Sequence, residues 1–389
     1  MSWGRKFVSV FVMATLLFGV AIMPGQADGE KPDELTLTLE EAVEIAMENN
    51  PGIGIAEAEK KQKSLQYSRA QDTSKDYSDA QSQTIEYMGV PITLPSPSAT
   101  YDGQRAIYLL PKLTEREYKQ AEKIYQAQIN EVKINVEEAF YNLIQAEEQK
   151  IIAENALKRA DELLRIAELN YELGMVARAE VLGAEAGQSA ARMGLSGARS
   201  EHTQKMMALN SVMGIDIDTV INPRGAFKFE KKHFALDELI EDAKENDISI
   251  IRARDGYKMA KWNYEFDINY YDERYRDAQP GKQDMIRAEL SLQQTKDGIL
   301  SAATKMYHGH LTLEEQYQYA QTTVELREEA YRLKELSYEL GMATLTEVQE
   351  ASDELKQAEA DLSECIHNYN VLKSRLKYGI YGPVAGGGF

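Results

Sequence analysis

The pentapeptide Tyr171-Glu-Leu-Gly-Met175 occurs again, unchanged, as Tyr338-Glu-Leu-Gly-Met342. Each copy interrupts a long run of helix-forming residues, and a glycine in the left-handed conformation suits the end of a helix at a tight reversal. The segments that follow, Ala177-Arg-Ala-Glu180 and Thr344-Leu-Thr-Glu347, favour a new helix, because threonine can cap a helix and glutamate stabilises its positive end. The two pentapeptides therefore predict the tips of two helical hairpins.

A second pair of similar segments lies upstream of the two pentapeptides. Leu39-Glu-Glu-Ala-Val-Glu-Ile-Ala-Met-Glu-Asn-Asn50 is similar to Leu236-Asp-Glu-Leu-Ile-Glu-Asp-Ala-Lys-Glu-Asn-Asp247, at an offset of 197 residues, whereas the pentapeptides are offset by 167. The chain therefore contains two tandem repeats, and the first is longer by about 30 residues between its landmarks. We place this insertion at residues 84–112, which contain four prolines.

The composition and the repeats predict an all-α fold of long antiparallel helical hairpins. Charged residues make up 28% of the chain and proline only 10 of 389 residues, which is typical of long helices. The first repeat is expected at 28–213 and the second at 236–378, joined by a linker at 214–235, with a flexible glycine-rich tail at 379–389. A helix from about Leu113 to Tyr171 would be roughly 90 Å long. Such a rod buries only a narrow seam, so we expect an oligomer.

Apolar residues mark the packing seams of the long helices. In the last helix they alternate at spacings of three and four residues, which predicts a left-handed supercoil. This row comprises Val348, Ala351, Leu355, Ala358, Leu362, Cys365, Tyr369, Leu372 and Leu376. A similar row before the second pentapeptide comprises Leu326, Ala330, Leu333, Ser337 and Leu340. We interpret both rows as buried seams.

The N-terminus predicts export to the cell envelope. Arg5 and Lys6 precede an apolar stretch at residues 7–23, and small residues then allow cleavage after Ala27, giving a signal peptide at 1–27. An uncleaved membrane anchor is the alternative. The net charge is −19, and loss of the two cations makes it −21. This charge excludes a nucleic-acid binder, which needs a basic face.

The residues that could support chemistry do not form an active site in the sequence. Cys365 is the only cysteine, so neither an intrachain disulfide nor a cysteine-based metal site is possible. His308 and His310 form the only close histidine pair, and residues two apart point to different sides of a helix. We therefore predict a protein that is not an enzyme and that uses no cofactor and no metal ion.

Together these features resemble the TolC-like outer-membrane efflux family. The shared elements are an exported start, the Leu-Thr-Leu-Glu-Glu-Ala segment at 37–42, two repeats, and a tyrosine–glycine motif followed by a valine at Val181 and Val348. The resemblance covers about residues 35–378. It implies a TolC-like α-barrel protomer, three of which form a homotrimeric tunnel of twelve helices. The tunnel would be a passive export duct that works with a periplasmic adaptor protein and an inner-membrane pump.

The resemblance also assigns roles to residues at the predicted hairpin tips. Contact with the adaptor is expected from both pentapeptides. The residues concerned are Tyr171, Gly174, Met175, Tyr338, Gly341 and Met342. Glu347 and Glu350, just after the second tip, match the carboxylates that constrict the tunnel entrance in the family.

The chain departs from the family in its predicted strands. Only Thr84–Leu94 and Arg105–Leu110 offer short candidate strands, so we expect a reduced or absent β-barrel and leave contact with an outer membrane open. An aromatic cluster between Tyr257 and Tyr275 is expected either to pack against the insertion or to form a belt at a membrane surface. The alternative function is an exported coiled-coil scaffold that has lost the barrel and the channel role.

Overall fold

A computed structural model describes residues 34–224, 228–271 and 279–382. The predicted signal peptide at 1–27 and residues 383–389 of the predicted tail lie outside these described residues, as does Tyr275 of the aromatic cluster. The described chain is predominantly helical, and its strands form two separate pairs. None of the described helices carries an apolar stretch long enough to cross a bilayer.

The two halves contain helices in the same order: short, medium, long and long. The first half also contains a four-residue helix, α3, between its medium and first long helix. Its helices are α1 (Leu39–Asn49), α2 (Pro51–Asp79), α3 (Tyr101–Gln104), α4 (Leu110–Glu172) and α5 (Arg178–Met213). Those of the second half are α6 (Leu236–Asn246), α7 (Ile248–Tyr271), α8 (Gln279–Glu339) and α9 (Leu345–Tyr378).

Local sequence determines where the helices begin. At Thr38 the side chain accepts a hydrogen bond from the backbone N–H of Glu41, and the Glu41 carboxylate accepts one from the Thr38 N–H at 2.8 Å. This reciprocal capping box satisfies two amide groups that the first turn of α1 would otherwise leave unpaired. Thr344 and Glu347 form the same box at the start of α9.

Four long helices lie side by side and form two hairpins. α4 packs on α5 in the first hairpin and α8 packs on α9 in the second. The hairpins are joined because α9 also lies along α4. α5 and α8 are therefore the two edges of this layer. With 63 residues, α4 is about 95 Å long at the rise of an α-helix.

Two short strands link the start of the described chain to the linker. β1 (Glu34–Leu37) pairs in parallel with β4 (Val220–Pro223). The pair packs over a core formed by α1, α4 and α5, where Phe140, Leu143 and Leu209 are buried. This pair and its core lie at the end of the first hairpin that is far from the tips.

The extra elements of the first repeat lie between α2 and α4. β2 (Gln83–Tyr87) and β3 (Val90–Leu94) form an antiparallel hairpin that turns at Met88 and Gly89, both with positive φ. The candidate strand Arg105–Leu110 is wrong: residues 105–109 form a π-helical turn that leads directly into α4. The continuous helical backbone there leaves no extended segment that could pair.

Aromatic residues fasten the inserted segment to the second repeat. The ring of Tyr101 lies 5.4 Å from that of Phe266 and about as close to those of Tyr270 and Tyr271, measured between centroids. The Tyr101 hydroxyl donates to the Asp267 carboxylate at 2.6 Å. Burial, followed by this hydrogen bond, raises the pKa of Tyr101 to about 12. The described part of the cluster therefore packs against the insertion.

The seam predicted on α9 is found, whereas the row predicted on α8 is not buried within this chain. On α9, Val348, Leu355 and Tyr369 are among the buried side chains of the row. On α8 the row containing Leu333 faces outward, and the buried row lies two residues earlier on the helix. It comprises Ala303, His310, Tyr317, Val324, Tyr331 and Tyr338, of which Tyr317 and Val324 are partly buried. Side chains two residues apart point roughly 200° apart on a helix, so only one row can face α9 and α4.

A buried carboxylate connects the two hairpins at the end of α9. Glu137 of α4 is buried, and it accepts hydrogen bonds from the hydroxyls of Ser374 and Tyr378, the second at 2.7 Å. The Lys377 ammonium group lies 3.2 Å from the same carboxylate. Beside it, Arg375 donates to Glu138 at 2.6 Å. These contacts fix the register of α9 along α4.

Replacing Glu137 should weaken this junction. We expect Glu137→Ala to lower the free energy of unfolding by about 1–3 kcal/mol, because it leaves the buried Ser374 hydroxyl and the partly buried Tyr378 hydroxyl without their acceptor. Urea unfolding followed by circular dichroism measures the change. Glu168→Ala, at an exposed position of the same helix, is the matched control and should change it by less than about 0.5 kcal/mol. Equal effects of the two substitutions would contradict the assignment.

Candidate functional site: the paired hairpin tips

Both pentapeptides end a helix with the same hydrogen-bonded turn. Gly174 and Gly341 adopt left-handed conformations, with φ of 75° and 72°. The N–H of Met175 donates to the carbonyl of Asn170, and that of Met342 to the carbonyl of Ser337, both at 2.8 Å. This is the Schellman arrangement, which a glycine at the left-handed position makes possible. The reversals predicted from the sequence are therefore present at both glycines.

The two tips lie next to each other. A methyl group built on Gly341 would lie 3.7 Å from the Met175 Cε atom. Just beyond the turns, a Cβ atom on Gly183 of α5 would lie 3.4 Å from Leu345 of α9, and one on Gly187 would lie 2.9 Å from Gln349. Glycine at these positions thus allows the first turns of α5 and α9 to approach closely.

Apolar side chains at both tips are exposed to solvent. Met175 and Met342 retain 57% and 73% of their accessible surface, and Leu173 and Leu340 are similarly exposed. Exposed apolar groups that cluster at one end of a protein mark contact surfaces more often than isolated ones do. Sequence reasoning identified the methionines but missed the leucines. Their position directly before the glycine of each turn is the signal that could have identified them.

The two tyrosines of the repeated motif lie in different environments. Tyr171 is 45% exposed, whereas Tyr338 is only 2% exposed. Tyr338 belongs to a core cluster that also contains Leu163 and Ile166 of α4 and Leu345 of α9. Burial, and then the negative charge of Glu180, raises the pKa of Tyr338. The second tip is therefore anchored in the first hairpin, whereas the tyrosine of the first tip is available for other contacts.

The two carboxylates after the second tip also differ. The Glu347 carboxylate accepts a hydrogen bond from the Thr344 N–H at 2.9 Å and lies 2.9 Å from the Lys334 ammonium group. The backbone hydrogen bond and then Lys334 lower the pKa of Glu347 to about 2. Glu350 lies one turn further along α9 and is exposed. Glu347 is thus bound within its own hairpin, while Glu350 points into solvent.

A charged cluster below the tips ties α4 to α9. The Arg159 guanidinium donates to the Ser352 hydroxyl at 3.2 Å and to Glu359 at 3.4 Å. It also lies 5.8 Å from the centre of the Tyr331 ring, which belongs to the buried row of α8. Sequence reasoning missed Arg159, because nothing in a single helix shows which charged residue faces a neighbouring hairpin.

The first hairpin matches a known protein family. The sequence profile of the family described as outer membrane efflux protein matches residues 111–215, which cover nearly all of α4 and the whole of α5. No curated protein sequence matches the chain significantly. The matched region thus includes the first tip and both of its helical arms.

Solved structures match almost the whole chain. The CmeC outer membrane channel of Campylobacter jejuni matches with a TM-score of 0.69 at 14% identity, covering 88% of this chain and 86% of that one. The chain has a TolC-like fold. The outer membrane protein VceC of Vibrio cholerae gives 0.69 at 15% identity, with coverages of 88% and 96%. The open state of the Neisseria gonorrhoeae MtrE outer membrane channel gives 0.64 at 15%, with coverages of 89% and 89%.

These comparisons confirm two of the predictions from sequence. The all-α architecture of long antiparallel hairpins is that of TolC-like channels, and the resemblance to the TolC-like outer-membrane efflux family is confirmed. The adaptor contacts of the tips and the entrance role of Glu347 and Glu350 stay predictions, as do the repeat boundaries. Within the described residues, no group of three histidine, cysteine or acidic side chains is arranged to hold a metal ion.

The difference between the two tyrosines can be measured directly. We expect Tyr338→Ala to lower the free energy of unfolding by about 3 kcal/mol, because it empties a packed aromatic site. Tyr171→Ala, the matched substitution in the same pentapeptide, should lower it by less than about 1 kcal/mol. Urea unfolding of the two purified variants provides the comparison. If Tyr171→Ala is as costly as Tyr338→Ala, the first tyrosine is buried and the asymmetry is wrong.

Proposed function

We propose that this chain is one protomer of a passive export duct in the cell envelope. Three protomers close into a tunnel of long helices, a periplasmic adaptor protein binds the tips, and an inner-membrane pump supplies the energy. The observation that carries the proposal is the pair of hairpins that lie side by side with both apolar tips exposed at one end. The family match in the first hairpin and the TolC-like fold of the chain support it.

The edges of the helical layer support assembly into a closed ring. α5 packs chiefly on α4, and α8 packs chiefly on α9 and α7, so α5 and α8 remain the outer edges of the layer of four long helices. The α8 edge of one copy can therefore meet the α5 edge of the next. Such a head-to-tail contact produces a ring when its rotation closes. Leu182 and Met193 are exposed on α5 and can take part in it.

The outward row of α8 is well suited to this contact. It repeats every seven residues, which is the spacing of a coiled-coil seam. The exposed fractions of its side chains are 76% for Tyr319, 67% for Leu326, 49% for Leu333 and 61% for Leu340. These side chains keep about half or more of their surface exposed in their own chain, and a second copy is the partner that the spacing of the row fits. The row predicted from sequence is thus an intermolecular seam in this proposal.

The exposed tips are the adaptor site in this proposal. Met175 and Met342 lie on adjacent turns and are flanked by exposed leucines. Methionine adapts its shape to different partners, and a glycine turn presents it without a bulky backbone. Transport itself needs no bond-making by the chain, so the duct is not an enzyme in this proposal. No observation on the described residues, and none of the comparisons, favours the scaffold alternative.

Oligomeric state tests the proposal. We expect the mature protein, in mild detergent, to have the mass of a trimer by multi-angle light scattering and to conduct ions across a planar bilayer. The double substitution Leu326→Lys with Leu333→Lys should lower the trimer fraction at least tenfold, because it places two charges in the proposed seam.

Glu328→Lys is the control for added charge on α8, because this exposed residue lies on a different side of the helix from Leu326. It should leave the trimer intact. A wild-type monomer at high protein concentration would contradict the duct. A trimer that survives the double substitution would show that the α8 row is not the seam.

The entrance carboxylates give a separate test. We expect Glu350→Gln to weaken the block of ion conduction by Mg²⁺ or La³⁺ several-fold, because three exposed carboxylates at a narrow mouth attract multivalent cations. Glu347→Gln should have a smaller effect, since Lys334 already offsets its charge. The block is measured as the cation concentration that halves the conductance. Unchanged block in Glu350→Gln, with Glu328→Gln as the matched control, would exclude Glu350 from the entrance.

A further inference from the structure

The segment at residues 228–235 crosses the second hairpin as a strap. It has no regular secondary structure, and it is held by α8 and α9 through specific contacts. The Tyr369 hydroxyl of α9 accepts from the Lys232 N–H at 2.8 Å and donates to the Glu230 carbonyl at 3.1 Å. The Phe229 ring stacks on Tyr317 of α8 at 4.0 Å between centroids. The strap is therefore fixed by side chains rather than by a β-ladder.

His310 of α8 lies at the centre of these contacts. It is 1% exposed, and its ring lies 5.2 Å from that of Phe234 of the strap and 4.8 Å from that of Tyr369. The buried Nε2 atom has no hydrogen-bond partner among the described residues. The Nδ1 atom is 3.9 Å from the carboxylate of Glu314, which is too far for a hydrogen bond. This aromatic enclosure suits a neutral imidazole.

The charges around His310 act on its protonation in both directions. On the strap, Lys231 and His233 face it, and Lys373 faces it from α9. Glu314, on α8 itself, is the carboxylate that faces it, and the Lys231 ammonium group already binds that carboxylate at 2.6 Å. Burial, more than any of these charges, lowers the pKa of His310 below its ordinary value near 6.5. An imidazolium here would have to compete with Lys231 for one shared carboxylate.

We propose that His310 is a proton-operated latch for the strap: the neutral ring holds residues 228–235 against α8 and α9, and protonation releases them. The imidazolium would be desolvated between two aromatic rings, and Glu314, the carboxylate that faces it, already binds Lys231. The protonated state therefore favours a separated strap that admits water. Glu230 of the strap lies near Lys373 of α9. It moves away from Lys373 when the strap separates. The latch operates within one chain and does not depend on conduction.

The pH dependence follows from the direction of the pKa shift. The closed strap binds fewer protons than the open one, because His310 has a lower pKa when enclosed than when exposed. Closure is therefore fully favoured above pH 6.5, the ordinary histidine value. It weakens as the pH falls from there through the lowered pKa of the enclosed ring.

Hydrogen exchange of the full mature chain tests the latch. Amide protection of residues 228–235 is measured by mass spectrometry at about pH 7.5 and about pH 5, corrected for the chemical exchange rate at each pH. We expect protection of the wild-type strap to fall at least tenfold at the lower pH. In His310→Gln, which cannot ionise, the protection should be the same at both pH values.

His308→Gln is the matched control. His308 lies two residues away on the exposed side of the same helix, so this variant should show the wild-type loss. Burial also lowers the pKa of His202 and of His367. Acid loosening that arises from these two residues would persist in His310→Gln. Persistent loss of strap protection in that variant would therefore overturn the proposal.

A titration of the wild-type protein gives a second readout, for which the variant serves only to assign the signal. Histidine labelled with ¹³C at the ring carbon reports the protonation of His310 by NMR, and the signal missing in His310→Gln assigns it. The midpoint of this titration should coincide with the loss of strap protection. A strap that stays protected while His310 is protonated would show that the ring is not a latch.

Discussion

The contact of α9 with α4 is the interaction on which the rest of the structure depends. Each hairpin alone would bury only the narrow seam between its own arms. Packing α9 on α4 joins the two hairpins into one layer, and Glu137 and Arg159 fix its register at two heights. Because that register is fixed, both turns end at the same level and Tyr338 reaches the core of the first hairpin. The paired tips and the two free edges follow from this one contact.

Helix α8 carries two rows of mostly apolar side chains on opposite sides. Its two rows, with Tyr331 in one and Leu333 in the other, both repeat every seven residues and lie on opposite sides. The first row faces α9 and α4, where Tyr331 and Tyr338 are buried. The second is exposed, and in the proposed ring it faces a neighbouring chain. The same helix thus contributes to the fold, to the strap site at His310, and to the proposed ring.

The sequence predicted the features that depend on local chemistry. The glycine turns at Gly174 and Gly341 and the cap at Thr344 follow from short-range rules of helix ends. The choice between the two rows of α8 could not be predicted in this way, because a seven-residue spacing shows that a seam exists but not which partner covers it. The burial of Tyr338 but not of Tyr171 has the same cause, since identical pentapeptides carry no information about their neighbours.

The insertion between α2 and α4 occurs in only one of the two repeats, and this gives the proposed trimer two kinds of symmetry. At the tips, six similar turns would surround the axis, so a partner could meet an approximately six-fold surface. At the opposite end, only three β2–β3 hairpins would be present, and the surface would be strictly three-fold. Rings of partners with different copy numbers could therefore bind the two ends of the same assembly without a mismatch at either end.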